Sequence, residues 1–235
     1  MNADKITSSV SGVSAVEIAR DAALAAGEIL LERFHQSKRV SFKGRGNIVT
    51  DVDMLVEQQI LATLAEQFPT TGLLGEESLG TKPDKGLVWV VDPIDGTRNY
   101  VSGVPFYSVV IGLALDGEPL CGVTYDPVRG EMFHAERGKG AFLNGHKLAV
   151  SEKTLLSDSI IGTELSNNAE GARSSLDVVR NIWPNMQTVR IMGSAALAIC
   201  YVAAGRTDIF FHHQLGPWDQ IAGLLLVEEA GGLAT

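Results

Sequence analysis

The stretch LVWVVDPIDGTRNYVSG, Leu87 to Gly103, restricts the fold more than any other part of this chain. Five consecutive apolar, β-favouring residues read as a strand buried on both faces. That strand runs directly into two acids three residues apart, Asp92 and Asp95, with Pro93, Gly96 and Thr97 packed around them. Two like charges ~4 Å apart cost about 4 kcal/mol at an effective dielectric of ~20. A carboxylate beside a buried strand also carries a desolvation penalty unless it is paired. Either the side chains part into water, or something of opposite charge joins them.

The surrounding sequence predicts a mixed α/β (α+β) chain. Val16, Ala19, Ala23, Ala26, Leu30 and Phe34 recur at helical steps, as do Val52, Val56, Ile60, Leu64 and Phe68 before Pro69. Between these helices, SKRVSFKGRGN reads as an exposed basic loop, and TTGLLGEESLGTKPDKG reads as a Gly-rich connection. From Tyr107 onward YSVVIGLAL, PLCGVTYD, EMFHAER and GAFLNG form a strand meander broken by turn residues. A composition shift near Ser151 predicts a lobe boundary, with one domain over 1–235 divided into lobes of about 1–150 and 151–235. In the second lobe a strand SIIGTE, a polar segment, a helix Ser194–Ala204, a strand DIFFHH and a helix Trp218–Ala230 are expected. His134 falls in a strand and His146 in a turn, and neither position asks for chemistry.

Composition narrows the function. The 235 residues are 45% hydrophobic, enough for a sizeable core, and carry a formal net charge of -9, which disfavours a nucleic-acid backbone as the principal ligand. The polar start MNADKITSSVSG lacks the apolar core of a signal peptide, and no apolar run reaches membrane-spanning length. Cys121 and Cys200 each lie in apolar sequence and read as reduced core residues. A soluble, cytoplasmic protein with no membrane partner is expected. No Gly-x-Ser-x-Gly elbow is present, and ERGKGAF lacks phosphate-loop spacing.

Several acids stand at breaks in structure: Asp53, Glu76, Glu77, Asp92, Asp95 and Asp219. Singly, each has a structural explanation. Thr50-x-x-Asp53 is a capping-box pattern, Glu76 and Glu77 could be solvated, Asp95-Gly96 could be a turn, and Asp219 suits a helix start. Jointly they point to hard divalent cations, which take carboxylates, carbonyls and phosphate oxygens. Two such ions can share a carboxylate, and Asp92 is placed to bridge, with the Ile94 carbonyl turning inward after Pro93. Gly96 allows close approach, and the following helix start offers N–H groups and the Thr97 hydroxyl to a phosphate.

The segment DPIDGTRNYVSGVPF, with GEES upstream and PWDQIAGLLLVEEAGG downstream, resembles the three motifs of the inositol monophosphatase family, lithium-sensitive magnesium-dependent phosphatases. The resemblance extends from the first helix almost to the end of the chain, and is nearest to the bacterial members. It implies a layered αβαβα sandwich, usually a homodimer, with two or three Mg²⁺ per active site. Carried over residue by residue, it implies that Glu76, Asp92 and the carbonyl of Ile94 hold one cation. Asp92, Asp95 and Asp219 then hold a second. Asp53 and Thr97 become the pair that orients and deprotonates water, and Gly96 and Thr97 the phosphate cradle. Gly193, Ser194 and Ala195 line the substrate pocket together with Asp95, Asp219 and His212.

The implied activity is hydrolysis of a small phosphate monoester by metal-activated water. The ester is inositol 1-phosphate or a related polyol or sugar phosphate. The alternatives are 3′-phosphoadenosine 5′-phosphate, fructose 1,6-bisphosphate or histidinol phosphate, or a regulatory role in a transcription complex. Two departures matter. Where inositol-specific members often carry Glu, six residues before the Trp of the last motif, this chain has His212. The chain also stops at Thr235, where family members usually continue through further strands and a helix.

Overall fold

The computed structural model describes residues 9–44, 47–78 and 85–235. Residues 45–46 of the expected basic loop, 79–84 of the expected Gly-rich connection, and the first eight residues of the polar N-terminus lie outside them.

Helix α1, Ala15–Arg33, begins at a capping box made by Ser14 and Glu17. Its Ala- and Val-rich stripe is buried, as the periodicity predicts. The basic segment after it is not a loop. Strands β1, Val40–Gly44, and β2, Asn47–Thr50, form an antiparallel hairpin, and all five β1 residues are exposed. A strand that buries neither face has no reason to alternate, so its sequence carries no strand signal. Helix α2, Asp51–Gln67, follows with Thr50 as its N-cap.

A seven-stranded sheet holds the centre: β3, Gly72–Gly75; β4, Leu87–Asp95; β5, Ser108–Leu115; β6, Glu118–Asp126; β7, Glu131–Glu136; β8, Gly140–Leu143; and β9, His146–Lys147, in that spatial order. Strand β3 pairs parallel with β4, and every later pair is antiparallel. The meander is as expected, although His146 is in its last strand. Strand β3 corrects the reading of 70–86 as a connection only. Its two glycines weaken the strand signal that Leu73 and Leu74 would otherwise give.

Helices α1 and α2 cover one face of this sheet, against Trp89, Val91, Val109, Ile111 and Val123. The short helix α3, Thr97–Ser102, leaves the end of β4. The remaining elements are strand β10, Ile160–Thr163; helix α4, Ala169–Ile182; strand β11, Thr188–Arg190; helix α5, Ala195–Ala203; strand β12, Ile209–Phe211; and helix α6, Pro217–Glu229. The polar segment is thus a helix. Ala169, Ala172, Leu176, Val179 and Ile182 recur at helical steps, so the period was there to be read among the polar residues, although in the fold only Ser175 of α4 is buried.

The three strands form a second, parallel sheet in the order β11-β10-β12. The crossover from β10 to β11 and the one from β11 to β12 run in opposite directions along this sheet, so right-handed connections place α4 and α5 on opposite faces. Helices α5 and α6 fill the space between the sheets, packing on each other and on the second face of the large sheet. The layers run helix, sheet, helix, sheet, helix, an α+β sandwich. Although α6 lies late in the sequence, it contacts β5 and β6 more than any element of the second sheet.

That approach depends on missing side chains. A Cβ at Gly112 would lie 2.5 Å from Ile221 Cγ2, and one at Gly122 would lie 2.6 Å from the Ala222 Cα. Both glycines let the backbone of α6 sit directly on the sheet. The start of α6 carries Asp219, so this contact also decides how near that acid comes to β4.

Candidate active site

In a regular strand, residues three apart face opposite sides. Asp92 and Asp95 do not, because the β4–β5 register slips between them: Asp92 pairs with Val110 but Asp95 with Ser108. One extra residue is inserted in β4, a β-bulge, and both acids point to the face that α6 covers. Pro93, with no N–H to offer a ladder, sits inside the bulge. The acids therefore lie within the strand, which reaches Asp95, instead of following it. This answers the puzzle set by their spacing.

At the start of α6, Asp219 completes a group. One carboxylate oxygen from each of Asp92, Asp95 and Asp219 lies within 4.8 Å of the other two. At that separation each ionised pair costs ~3.5 kcal/mol at an effective dielectric of ~20. Three pairs approach the whole net stability of an ordinary domain, about 5–15 kcal/mol. The carboxyls respond by holding protons. Asp92 is raised well above the usual range by burial, then by Glu76, Asp95 and Asp219. Burial and then Asp219 push Asp95 up to about 8, and burial pushes Asp219 up to about 6.

Each acid is held by one oxygen and offers the other. Asp95 Oδ2 accepts from Ser108 Oγ at 3.5 Å, from the Ala196 N–H at 3.0 Å, and from Ser194 Oγ. Asp92 Oδ1 accepts from the Ile94 N–H at 2.9 Å. Asp219 Oδ2 accepts from the Gly216 N–H at 2.6 Å, capping its own helix. The capping explanation and the site explanation are both true of Asp219, on different oxygens.

Asp53 is divided in the same way. Its Oδ2 accepts from the Thr50 N–H at 2.8 Å and from the Thr50 hydroxyl, closing the capping box of α2. Its Oδ1 accepts from Thr97 Oγ1 at 3.1 Å. Thr97 Oγ1 also lies 3.0 Å from the Ile94 carbonyl oxygen. Asp53 is fully buried, and that burial raises its pKa against the pull of the Thr50 and Thr97 bonds.

A cleft of about 720 Å³ opens above these groups, lined by Glu76, Asp92, Ile94, Asp95, Gly96, Thr97, Gly193, Ala195, His212 and Asp219, among others. Ser194 is different. Its side chain is 1% exposed and faces Asp95, with its oxygen accepting from the Leu197 N–H at 3.3 Å to cap α5. It positions an acid and does not face the cleft. Gly96 has φ +95°, and a Cβ there would lie 3.0 Å from the Gly193 carbonyl, so the two loops meet as bare backbone.

Three further charged residues escaped sequence reasoning. Lys43, from the hairpin, reaches Glu76 Oε1 at 2.9 Å and Glu77 Oε1 at 2.8 Å. Burial acts to lower the Lys43 pKa, but these carboxylates raise it overall, while burial pushes Glu77 up to about 7. Nothing in an exposed basic segment marks this lysine. Glu57 accepts from the Glu77 N–H and the Ser78 N–H, both at 2.8 Å, and from Ser78 Oγ at 2.5 Å, pinning the loop that carries Glu76. Its signal was readable, since Asp53, Glu57, Ile60 and Leu64 form one helical stripe with acids at buried positions. Glu164 Oε1 accepts from the Met192 and Gly193 N–H groups, each at 2.8 Å, and fixes the loop opposite Gly96. It directly follows the end of β10.

The donor set of buried, mutually repelling hard oxygens fits one or more divalent cations, which would relieve the cost just described. The comparisons agree. The model of the inositol monophosphatase family matches residues 13–235. Inositol monophosphatase 1 of Solanum lycopersicum is 39% identical over 92% of this chain and 82% of its own length. The protein named Nus factor SuhB in Xylella fastidiosa is 40% identical, over 93% and 80%. Among solved structures, the extragenic suppressor protein suhB from Bartonella henselae superposes with a TM-score of 0.88 at 38% identity, over 92% of this chain and 85% of that one. The IMPase of Thermotoga maritima does so with a TM-score of 0.84 at 32% identity, over 92% and 83%. The chain belongs to the inositol monophosphatase family, and with it to the phosphoric monoester hydrolases.

Proposed function

We propose that this protein hydrolyses a small phosphate monoester with Mg²⁺, the ester being a polyol or sugar phosphate of the inositol 1-phosphate kind. The observation that supports this most is the convergence of Asp92, Asp95 and Asp219 at the floor of the cleft, beside the Asp53–Thr97 pair. Asp92, Asp95 and Asp219 would hold one cation. Glu76, Asp92 and the Ile94 carbonyl would hold another, Glu76 being close enough to Asp92 to raise its pKa. When bound, Mg²⁺ lowers the pKa of water and neutralises charge on phosphate and leaving-group oxygens.

The chain's own groups supply orientation and proton handling. The Thr97 hydroxyl has one proton and two acceptors within reach, Asp53 Oδ1 and the Ile94 carbonyl. Donated to Asp53, that proton leaves the Thr97 oxygen to accept from an incoming water, whose oxygen then faces the phosphorus. Asp53 stays in place because its other oxygen is tied to Thr50. Gly96 keeps the floor open to the phosphate, and Ser194 and Ala196 keep Asp95 from turning away. Positioning and charge supply most of the catalysis in phosphoryl transfer, so little further machinery is needed.

Phosphate release from inositol 1-phosphate and β-glycerophosphate, titrated with Mg²⁺ and repeated with Li⁺, tests this reading. Saturable Mg²⁺-dependent release is expected. No release with Mg²⁺ or Mn²⁺ would overturn it.

The relatives named Nus factor SuhB support a second role for this chain, as a component of a transcription complex. Capture of partners from extract by the wild type and by Asp95→Asn separates the two roles, since a binding role survives loss of turnover. A homodimer in the cytoplasm completes the proposal. Among the described residues no helix is long and apolar enough to cross a membrane. Gel filtration with light scattering reads the dimer.

A further inference from the structure

The cleft has two chemically opposite ends. The floor is acidic, as described. The far wall is lined by Arg98, Asn167, Asn168, His212 and Gln214. On that wall three side-chain acceptors are already engaged. Asn167 Oδ1 accepts from Arg98 Nη2 at 2.7 Å. Asn168 Oδ1 accepts from the Glu170 N–H at 2.9 Å and caps α4. His212 Nδ1 accepts from the Gln214 N–H at 3.0 Å.

This last bond decides the tautomer. A neutral imidazole whose Nδ1 accepts carries its proton on Nε2, so the ring presents N–H. With each Asn oxygen already accepting one bond, the two amide NH2 groups are the main hydrogen-bonding capacity these side chains have left. The guanidinium of Arg98 and the N-terminal end of the 14-residue helix α4 add positive potential to the same wall. Glu164 also lines the cleft there, but its Oε1 is turned onto the Met192 and Gly193 N–H groups. A polyol hydroxyl needs an acceptor on at least one side to place its proton. This wall supplies donors, and a phosphate or carboxylate accepts without donating.

We propose that the wall formed by Arg98, Asn167, Asn168 and His212 is a donor subsite for a second anionic group, a phosphate or carboxylate, on the alcohol part of the substrate. The inference rests on the phosphatase reading of the same cleft and names its substrate class. Among the polyol and sugar phosphates of that reading, the preferred ester is one that carries a second phosphate or a carboxylate, and one without a second anion is turned over less well.

The test compares kcat/KM for fructose 1,6-bisphosphate with that for inositol 1-phosphate, in the presence of Mg²⁺. The wild type is expected to favour the bisphosphate by about tenfold or more, the scale of one charge-assisted contact. His212→Glu is expected to shift the ratio about tenfold towards the polyol phosphate. Asn168→Asp keeps the helix cap and replaces N–H with carboxylate, so it shifts the ratio the same way without threatening the fold. A wild-type preference for inositol 1-phosphate, or a ratio that neither variant moves, overturns the inference. β-Glycerophosphate has no second anion, so its hydrolysis by the wild type reports on the phosphatase reading alone. If that control fails, calorimetric binding of fructose 1,6-bisphosphate with Mg²⁺ to wild type and His212→Glu still decides the subsite. Weaker binding to the variant supports it, and equal binding overturns it.

Discussion

Asp92, Asp95 and Asp219 set the behaviour of the molecule at the scale of the residue. In the metal-free protein, Asp95 and Asp219 titrate near 8 and 6, above an unfolded value of about 3.9. Between about pH 4 and pH 8 the folded state therefore holds protons that the unfolded state has released, and stability falls as pH rises through that window. Thermal unfolding in EDTA should show the cluster's contribution declining from pH 5 to 8. Saturating Mg²⁺ should remove the decline, and an equal slope in both conditions would count against the assignment. Asp95→Asn should abolish Mg²⁺-dependent turnover, a loss of at least ~10³-fold if an essential charge is gone. In EDTA at pH 8 it should unfold no earlier than the wild type, because a repelling charge has left. Turnover near the wild-type level in that variant would sink the proposed mechanism.

Two elements carry acids into place by close packing. Helix α6 delivers Asp219 only because Gly112 and Gly122 let it lie on the sheet. Gly122→Ala should cost ~1–3 kcal/mol by overpacking and lower kcat, as the start of α6 is levered away from β4. Chemical denaturation and steady-state kinetics read the two effects. The loop with Glu76 depends on Glu57 in α2, which fits beneath Gly75. A Cβ at Gly75 would lie 2.3 Å from the Glu57 carboxylate. Gly75→Ala should release the Glu57 clamp on Glu77 and Ser78 and raise the Mg²⁺ concentration needed for half-maximal activity. An unchanged Mg²⁺ requirement would show that the clamp does not hold Glu76. The N-caps of α2 and α6 work in the same sense, since Thr50 and Gly216 each fix one oxygen of an acid whose other oxygen faces the site.

For the molecule as a whole, ligand binding and folding are linked. Cations bound only by the folded state stabilise it by about 2.7 kcal/mol at a hundred times Kd. At roughly 2–4 °C per kcal/mol for a chain of this size, Mg²⁺ should raise Tm by ~5–10 °C. A scanning-calorimetry series over Mg²⁺ concentration checks this, and a Tm that ignores the ion would contradict a cation site. The layered architecture explains why the cluster can exist before any ion binds. Fully buried Trp89, Ile111 and Leu113, on the same strands as the acids or beside them, each contribute about 1.5–3 kcal/mol. A handful of such side chains offsets the repulsion.

The amphipathic stripes of α1 and α2, the meander and the apolar β4 were all legible, because burying one face imposes a period on the residues. The acids at structural breaks were legible too, since a carboxylate beside buried apolar sequence needs a partner. Three things were not. The β1–β2 hairpin buries little, so its residues carry no period and Lys43 was hidden with it, whereas α4 does carry a helical period from Ala169 to Ile182 that was passed over among its polar residues. The oxygen sharing of Asp53 and Asp219 looks in sequence like capping alone. The one-residue bulge at Pro93 is a matter of register between β4 and β5, and register exists only once two strands have met. Sequence by itself thus determined which residues could do the chemistry, because composition and period act locally. Only the tertiary structure decided which of their atoms face one another, because that depends on how closely separate layers pack.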